Sequence, residues 1–311
     1  MTSWGHRLAD WGYGAGWGLV RRLPEGLATG MFRTAADVAA WRSGPGTRQL
    51  RRNLARVVPQ ASEAELDELV RAALRSYARY WKETFRLPAM DHKAVIQRVD
   101  ELFGNRSMID EALDRGKGLV LALPHTGNWD VAGLWLVNYS GTFTTVAERL
   151  RPESVFRRFF AFRESLGFEI LPTAGGDVAP YRVLIERLRQ NRVVCLPADR
   201  DLSRRGVPVT FFGEQTRMPS GPARLAAMTG ATLLIVNQAF TEDGWAISVH
   251  SPTIVHEREQ VPAVTQRMAD AFAADIAAKP EDWHMLQPLW ISDLPDQRQR
   301  LLAGVEPERA P

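Results

Sequence analysis

A histidine and an aspartate stand close together in the segment His125-Thr126-Gly127-Asn128-Trp129-Asp130. An imidazole held at one nitrogen by a carboxylate keeps a fixed tautomer and is stabilised when protonated. Its other nitrogen can then take a proton from an alcohol. That chemistry suits acyl transfer to a hydroxyl, because a deprotonated acceptor alcohol attacks a thioester itself and the protein need supply no nucleophile. The same residues also have a plainer reading. An Asp in a first helical turn suits the helix dipole, and a lone histidine at a strand end can be hydrogen-bonded structure and nothing more.

Other residue types offer less. His6, His92, His250, His256 and His284 form no His-x-x-x-His pair, and Cys195 is the single cysteine, so no metal site is expected. The glycine turn Thr173-Ala174-Gly175-Gly176-Asp177 lacks the lysine and spacing of a nucleotide-binding loop.

The elements that must position His125 can be read from the hydrophobic pattern. Gly118 to Pro124 is a short, uninterrupted apolar run, as expected of a strand buried on both faces. Pro124 and Gly127 mark a turn, and Asn128 can cap a following helix. His125 therefore falls where strand gives way to helix, the place at which open α/β sheets form their crevice. Strands are expected over residues 143–147, 168–171, 192–197 and 209–212, with 231–240 and 245–249 paired through the turn Thr241-Glu242-Asp243-Gly244. Helices are expected over 153–166, 179–189, from Ser220 and Pro222 to Gly230, and over 261–278, stopped by Pro280. Residues 1–90 read as helical, with Ser62 a candidate N-cap. The expected fold is α/β: a single domain over 1–311, with a helical portion (1–90) ahead of a core (116–295). That core holds a central, mostly parallel sheet flanked by helices.

Composition sets the remaining bounds. The 311 residues are 45% hydrophobic and 24% charged, which is ordinary for a folded chain. A net charge of +3 is too mild to suggest a nucleic-acid partner. Arginine pairs such as Arg21-Arg22 and Arg51-Arg52 are either solvated surface or a means of attracting anionic headgroups. Every apolar run is interrupted well short of the roughly 20 residues a spanning helix needs. Asp10 and several glycines occupy the place of a signal-peptide core, so a cytoplasmic location is expected. Trp4, Leu8, Trp11, Ala15, Leu19 and Leu23 share one helical face, which suits either a membrane interface or packing on the protein's own core.

Five further segments accompany the His-x4-Asp segment along the chain. They are Val146-Ala147-Glu148-Arg149-Leu150, Phe162-Arg163-Glu164-Ser165-Leu166-Gly167, Ala198-Asp199-Arg200-Asp201, Phe211-Phe212-Gly213-Glu214 and Arg217-Met218-Pro219-Ser220-Gly221-Pro222-Ala223. The ordered set, which covers most of the chain, resembles the lysophospholipid acyltransferase superfamily in its branch of bacterial lipid A lauroyl/myristoyl acyltransferases. Tyr77-Ala78-Arg79-Tyr80-Trp81 and Trp283-His284-Met285-Leu286-Gln287-Pro288 extend the resemblance to the mycobacterial members that acylate phosphatidylinositol mannosides.

The resemblance implies roles for particular residues. His125 is the expected general base, and Asp130 is the motif carboxylate near the active centre. Asp199 stands where the mycobacterial members carry a Glu that pairs with the histidine. Because Asp is one methylene shorter, the choice between Asp130 and Asp199 as the group that orients His125 stays open, with Asp201 a fallback. Glu148 and Arg163 are expected near the acceptor headgroup, where Arg can hold a phosphate or sugar hydroxyls and Glu can accept hydroxyl hydrogen bonds.

The implied reaction moves a long acyl chain, with palmitoyl expected, from acyl-CoA to a mannose hydroxyl of an anionic mannosylated phospholipid. It needs no cofactor or metal, and acyl-CoA enters as a substrate. The expected setting is peripheral, at the cytoplasmic face of the plasma membrane. The alternatives are acylation of another glycolipid or a lysophospholipid, acyl carrier protein as donor, a thioesterase-like hydrolase, and a non-catalytic lipid-binding protein on the same fold.

Overall fold

The computed structural model describes residues 17–148, 153–173, 179–201, 206–295 and 299. Most of the amphipathic segment at the N-terminus, Arg204-Arg205 and most of the glycine turn at 173–177 lie outside them. Within the described part, the Trp17 indole donates to the Phe85 carbonyl at 3.1 Å and packs on Phe85, Phe159 and Phe162, so this ring is on the protein's own surface helices.

After a helical stretch at 17–22 come three helices: α1 (Glu25–Arg42), α2 (Pro45–Val57) and α3 (Glu63–Arg86). The start of α3 is set locally. The Ser62 side chain accepts from the Glu65 N–H, and the Glu65 side chain reaches back to the Ser62 N–H, so two orphan donors are satisfied reciprocally. Leu50 and Leu54 of α2 and Leu66, Ala73 and Leu74 of α3 share one buried cluster with Val120 and Leu196 of the sheet. Polar residues tie the same helices to the far end of the chain: the Asn53 amide donates to the Met285 and Gln287 carbonyls at 2.7 and 3.0 Å.

Next come α4 (His92–Glu101), β1 (Phe103–Gly104) and α5 (Ser107–Asp114), in a stretch for which the sequence pattern gave no assignment. Each helix buries only two apolar side chains, Val95 and Val99 in α4 and Ile109 and Ala112 in α5, too few to make a periodic signal. The remaining elements are β2 (Leu119–Leu123), α6 (Trp129–Ser140), β3 (Thr144–Ala147), α7 (Glu153–Ser165), β4 (Glu169–Pro172), α8 (Pro180–Arg189), β5 (Val193–Pro197), β6 (Val207–Phe211), β7 (Glu214–Met218), α9 (Gly221–Thr229), β8 (Thr232–Phe240), β9 (Trp245–Val249) and α10 (Val261–Ala278).

The central sheet has the order β1-β9-β8-β2-β5-β3-β4 and is parallel except where β8 meets β9. β2 lies between β8 and β5 and is buried at every position, which explains its unbroken apolar run. The antiparallel pair is the expected hairpin, closed by the Thr241 N–H on the Gly244 carbonyl.

The strand read at 209–212 is real but stands apart from the central sheet, in a two-stranded ribbon of β6 with β7. Phe212 and Gly213 both have positive φ (50° and 78°), the geometry of a tight hairpin turn, and this sends the chain straight back as β7. The polar sequence of β7, Glu-Gln-Thr-Arg-Met, hides a strand that buries only Thr216 and Met218.

Candidate active site

β2 ends at Leu123, and Pro124 stops its ladder. The four residues that follow are fastened by main-chain bonds from a distant segment: the His284 N–H donates to the His125 carbonyl, and the Gly127 N–H donates to the Asp282 carbonyl. Gly127 has φ +56°, and a Cβ there would sit 2.8 Å from the Gln238 carbonyl oxygen, so only glycine fits the turn. Asn128 then caps α6 by accepting from the Asp130 and Val131 N–H groups, while its amide donates to buried Glu83 at 2.7 Å.

Asp199 holds the imidazole. Its Oδ1 lies 2.5 Å from His125 Nδ1, its Oδ2 accepts the His125 backbone N–H at 2.9 Å, and the Trp283 indole donates to the same oxygen at 3.0 Å. The shorter carboxylate reaches the ring because its second oxygen is drawn onto the main chain of the same histidine. Since a carboxylate accepts, Nδ1 carries the proton and the lone pair is left on Nε2. Burial works against the charged imidazole, but the charge and hydrogen bond of Asp199 outweigh it, and His125 sits above the ordinary histidine value. Asp199 is fully buried, which opposes its ionisation, yet the His125 contacts and the Trp283 bond hold it below the usual carboxylate range.

Asp130 does not turn back to His125. It is fully buried and accepts from Arg163 Nε at 2.7 Å, from the Tyr80 hydroxyl at 3.1 Å and from the Thr84 hydroxyl at 3.2 Å. The N-terminal turn of α6 aims this carboxylate at the interface of α3 and α7. Arg163, far from being a solvated surface charge, is committed to that ion pair, with its side chain 21% exposed. Burial opposes its charge, but Asp130 and Tyr80 more than compensate and raise the guanidinium pKa. Asp201 accepts the Gly206 N–H at 3.0 Å, a local role in its own loop.

A cavity of about 340 Å³ passes beneath α6 and across the sheet, with His125, Asp130, Glu148 and Arg163 among its lining residues. On the β3 side stand exposed Glu148, half-buried Arg163 and Arg200, and the aromatic side of α7. Leu121, Leu123, Cys195 and Gly133 line the middle, and the far end is buried. Cys195 is poorly suited to act as a nucleophile, because burial pushes its thiol up to about 12. Among the described residues there is no cluster of three or more groups able to hold a metal ion. The arrangement can therefore accept a proton at His125 Nε2 beside a largely apolar channel.

Several supports of the site were given no role by sequence reasoning, although Tyr80 and His284 lie in segments that carry the resemblance. Tyr80, Glu83 and Thr84 lie on one face of α3 at helical spacing and hold Asp130 and Asn128. Their spacing on a buried helix face was the available clue. His284 packs among Tyr77, Tyr80 and Trp129, and burial, with the nearby His125 charge, lowers its pKa to about 3.

Comparison with known proteins gives this geometry a context. The family model for bacterial lipid A biosynthesis acyltransferases matches residues 4–292. A phosphatidylinositol mannoside acyltransferase of Mycolicibacterium smegmatis is 55% identical over 298 residues, covering 96% of this chain and 96% of its own. The protein of that name from Mycobacterium tuberculosis (strain CDC 1551 / Oshkosh) is 54% identical over 293 residues, 94% of this chain and 92% of its own.

Proposed function

This chain belongs to the bacterial lipid A biosynthesis acyltransferase family, and we propose that it transfers a long acyl chain from acyl-CoA to a mannose hydroxyl of a phosphatidylinositol mannoside. The observation that carries the reading is the Asp199–His125 pair, 2.5 Å apart, at an apolar cavity.

The reaction proceeds from the free Nε2 lone pair. His125 takes the proton of the mannose hydroxyl as its oxygen attacks the thioester carbonyl carbon, and Asp199 stabilises the imidazolium that forms. Collapse of the tetrahedral adduct breaks the carbon–sulfur bond, and the proton on His125 passes to the departing thiolate. The products are the ester and free coenzyme A. Chain burial in the cavity, at roughly 0.8 kcal/mol per CH₂, supplies donor affinity for a long chain such as palmitoyl. Glu148 and Arg163 line the cavity, and in this reading they meet the acceptor headgroup.

A membrane surface is the natural source of such an acceptor. No helix of the described residues is long and apolar enough to cross a membrane. However, Leu27, Met31, Val38 and Trp41 of α1 are 64%, 45%, 39% and 79% exposed. At helical spacing all four fall within an arc of about 80°. This stripe supports peripheral binding to lipid, and an acyl-CoA donor puts the reaction on the cytoplasmic side.

The test offers purified protein labelled palmitoyl-CoA with phosphatidylinositol mannoside, lysophosphatidic acid or no acceptor. Ester formation on the mannoside that disappears in His125→Ala is expected. Transfer only to lysophosphatidic acid, fatty-acid release without acceptor, or lipid binding without turnover would each replace the proposed reaction with another.

A further inference from the structure

The register of the sheet fixes which cavity-lining side chains stand at equal depth beneath α6. Nearest His125 are Leu123 and Pro197, paired across β2 and β5. One level deeper come Leu121, Cys195, Thr145 and Ile170, again in register. At the next level Leu119 and Val193 occupy the middle strands, and neither lines the cavity. Phe143 and Phe168 do line it there, each one residue before the paired Thr144 and Glu169. The two buried rings, with centroids 4.7 Å apart, close the space at this depth. The tip of the Phe168 ring fills a notch left in α6 by Gly133, where a Cβ would overlap it. Their main chains are fastened as well: the Phe168 N–H donates to the Arg163 carbonyl at 3.2 Å and the Glu169 N–H to the Phe143 carbonyl at 2.9 Å.

This level lies six residues from His125 along β2, about 20 Å at the rise of a strand. An extended alkyl chain, advancing about 1.25 Å per carbon, covers that distance with on the order of fifteen carbons. The cavity also branches toward Phe103 and Ile247, but that route passes Gln238, which lies in register between them and β2. Gln238 is buried and its Oε1 has no hydrogen-bond partner, so hydrocarbon laid over this amide is penalised. We propose that Phe168, together with Phe143, is the floor of the acyl site and sets the length of chain that the cavity accepts. The chain descends from the thioester at His125 past Leu121 and Cys195, and its terminal methyl meets the two rings. The inference rests on the reading of the cavity as the acyl-donor site.

The experiment measures kcat/KM for saturated acyl-CoAs of increasing length, with phosphatidylinositol mannoside as acceptor. Wild type should gain with each methylene and then stop. Phe168→Leu lowers the floor, and should favour the chain one methylene past that cut-off by about fourfold relative to the preferred chain. Phe143→Leu should act in the same direction. A second measurement needs no variant: wild type is irradiated with an acyl-CoA of the preferred length carrying a diazirine on its terminal carbon, and the label is mapped by mass spectrometry. Labelling of Phe143 or Phe168 is expected. Folded Leu variants that keep the wild-type cut-off, or a label on Phe103 or Ile247 instead, overturn the assignment. If wild type neither turns over nor captures an acyl-CoA of any length, the acyl reading of the cavity fails first and takes this inference with it.

Discussion

Asp199 grips His125 twice, with Oδ1 at the ring Nδ1 (2.5 Å) and Oδ2 at the backbone N–H (2.9 Å). The double contact ties the orientation of the ring to the position of its own main chain. The base therefore sits on a rigid strand end rather than on a mobile rotamer.

Replacing Asp199 by Asn should lower kcat about 10²–10⁴-fold, the usual range for a general base that loses its support. The pH profile carries the sign. His125 works only when neutral, and Asp199 raises its pKa above the ordinary value. In wild type the acid limb of kcat/KM should lie above about 6.5. In Asp199→Asn that limb should move to lower pH while the plateau falls. A limb that stays in place would mean that another group titrates.

The Asp130–Arg163 pair should behave differently. Asp130→Asn leaves a buried guanidinium without its partner, which should destabilise the fold by about 3–5 kcal/mol. Chemical denaturation reads the loss, and residual activity should keep the wild-type acid limb, since Asp130 makes no hydrogen bond to His125 among the described contacts. A shifted limb would bring Asp130 into the proton-transfer machinery.

Gly127→Ala tests the turn itself. The left-handed conformation costs a side chain about 1–2 kcal/mol. The added Cβ would also meet the Gln238 carbonyl oxygen at 2.8 Å, a backbone atom that cannot swing aside. Stability should fall by more than about 2 kcal/mol, and turnover should fall with it as His125 is displaced. Calorimetry together with kcat reads both.

Cys195 lines the channel, yet burial raises its pKa to about 12. Iodoacetamide at neutral pH should label it only after unfolding, as followed by mass spectrometry. Cys195→Ala should retain most of the turnover. An acyl-enzyme trapped on this sulfur would reverse that expectation.

Much of the framework was legible because its signals are local. The unbroken apolar run of β2, the Asn128 cap, the Ser62 cap and the 241–244 hairpin turn each act over a few residues. The same physics places His125 at a strand end. Where local signals were weak, in α4, α5 and polar β7, the pattern was silent or incomplete.

What the sequence by itself determined was a strand, a turn and a capped helix carrying one histidine, together with the ordered segments that resemble a family. It did not determine which carboxylate serves that histidine. Asp130, five positions away, was nearest along the chain; Asp199, 74 positions away, is nearest in space. Adjacent strands β2 and β5 bring Asp199 to the ring, while α3 and α7 claim Asp130 through Tyr80, Thr84 and Arg163. Hydrogen-bond partners are assigned by the packing of distant elements, and spacing along the chain carries no record of that competition.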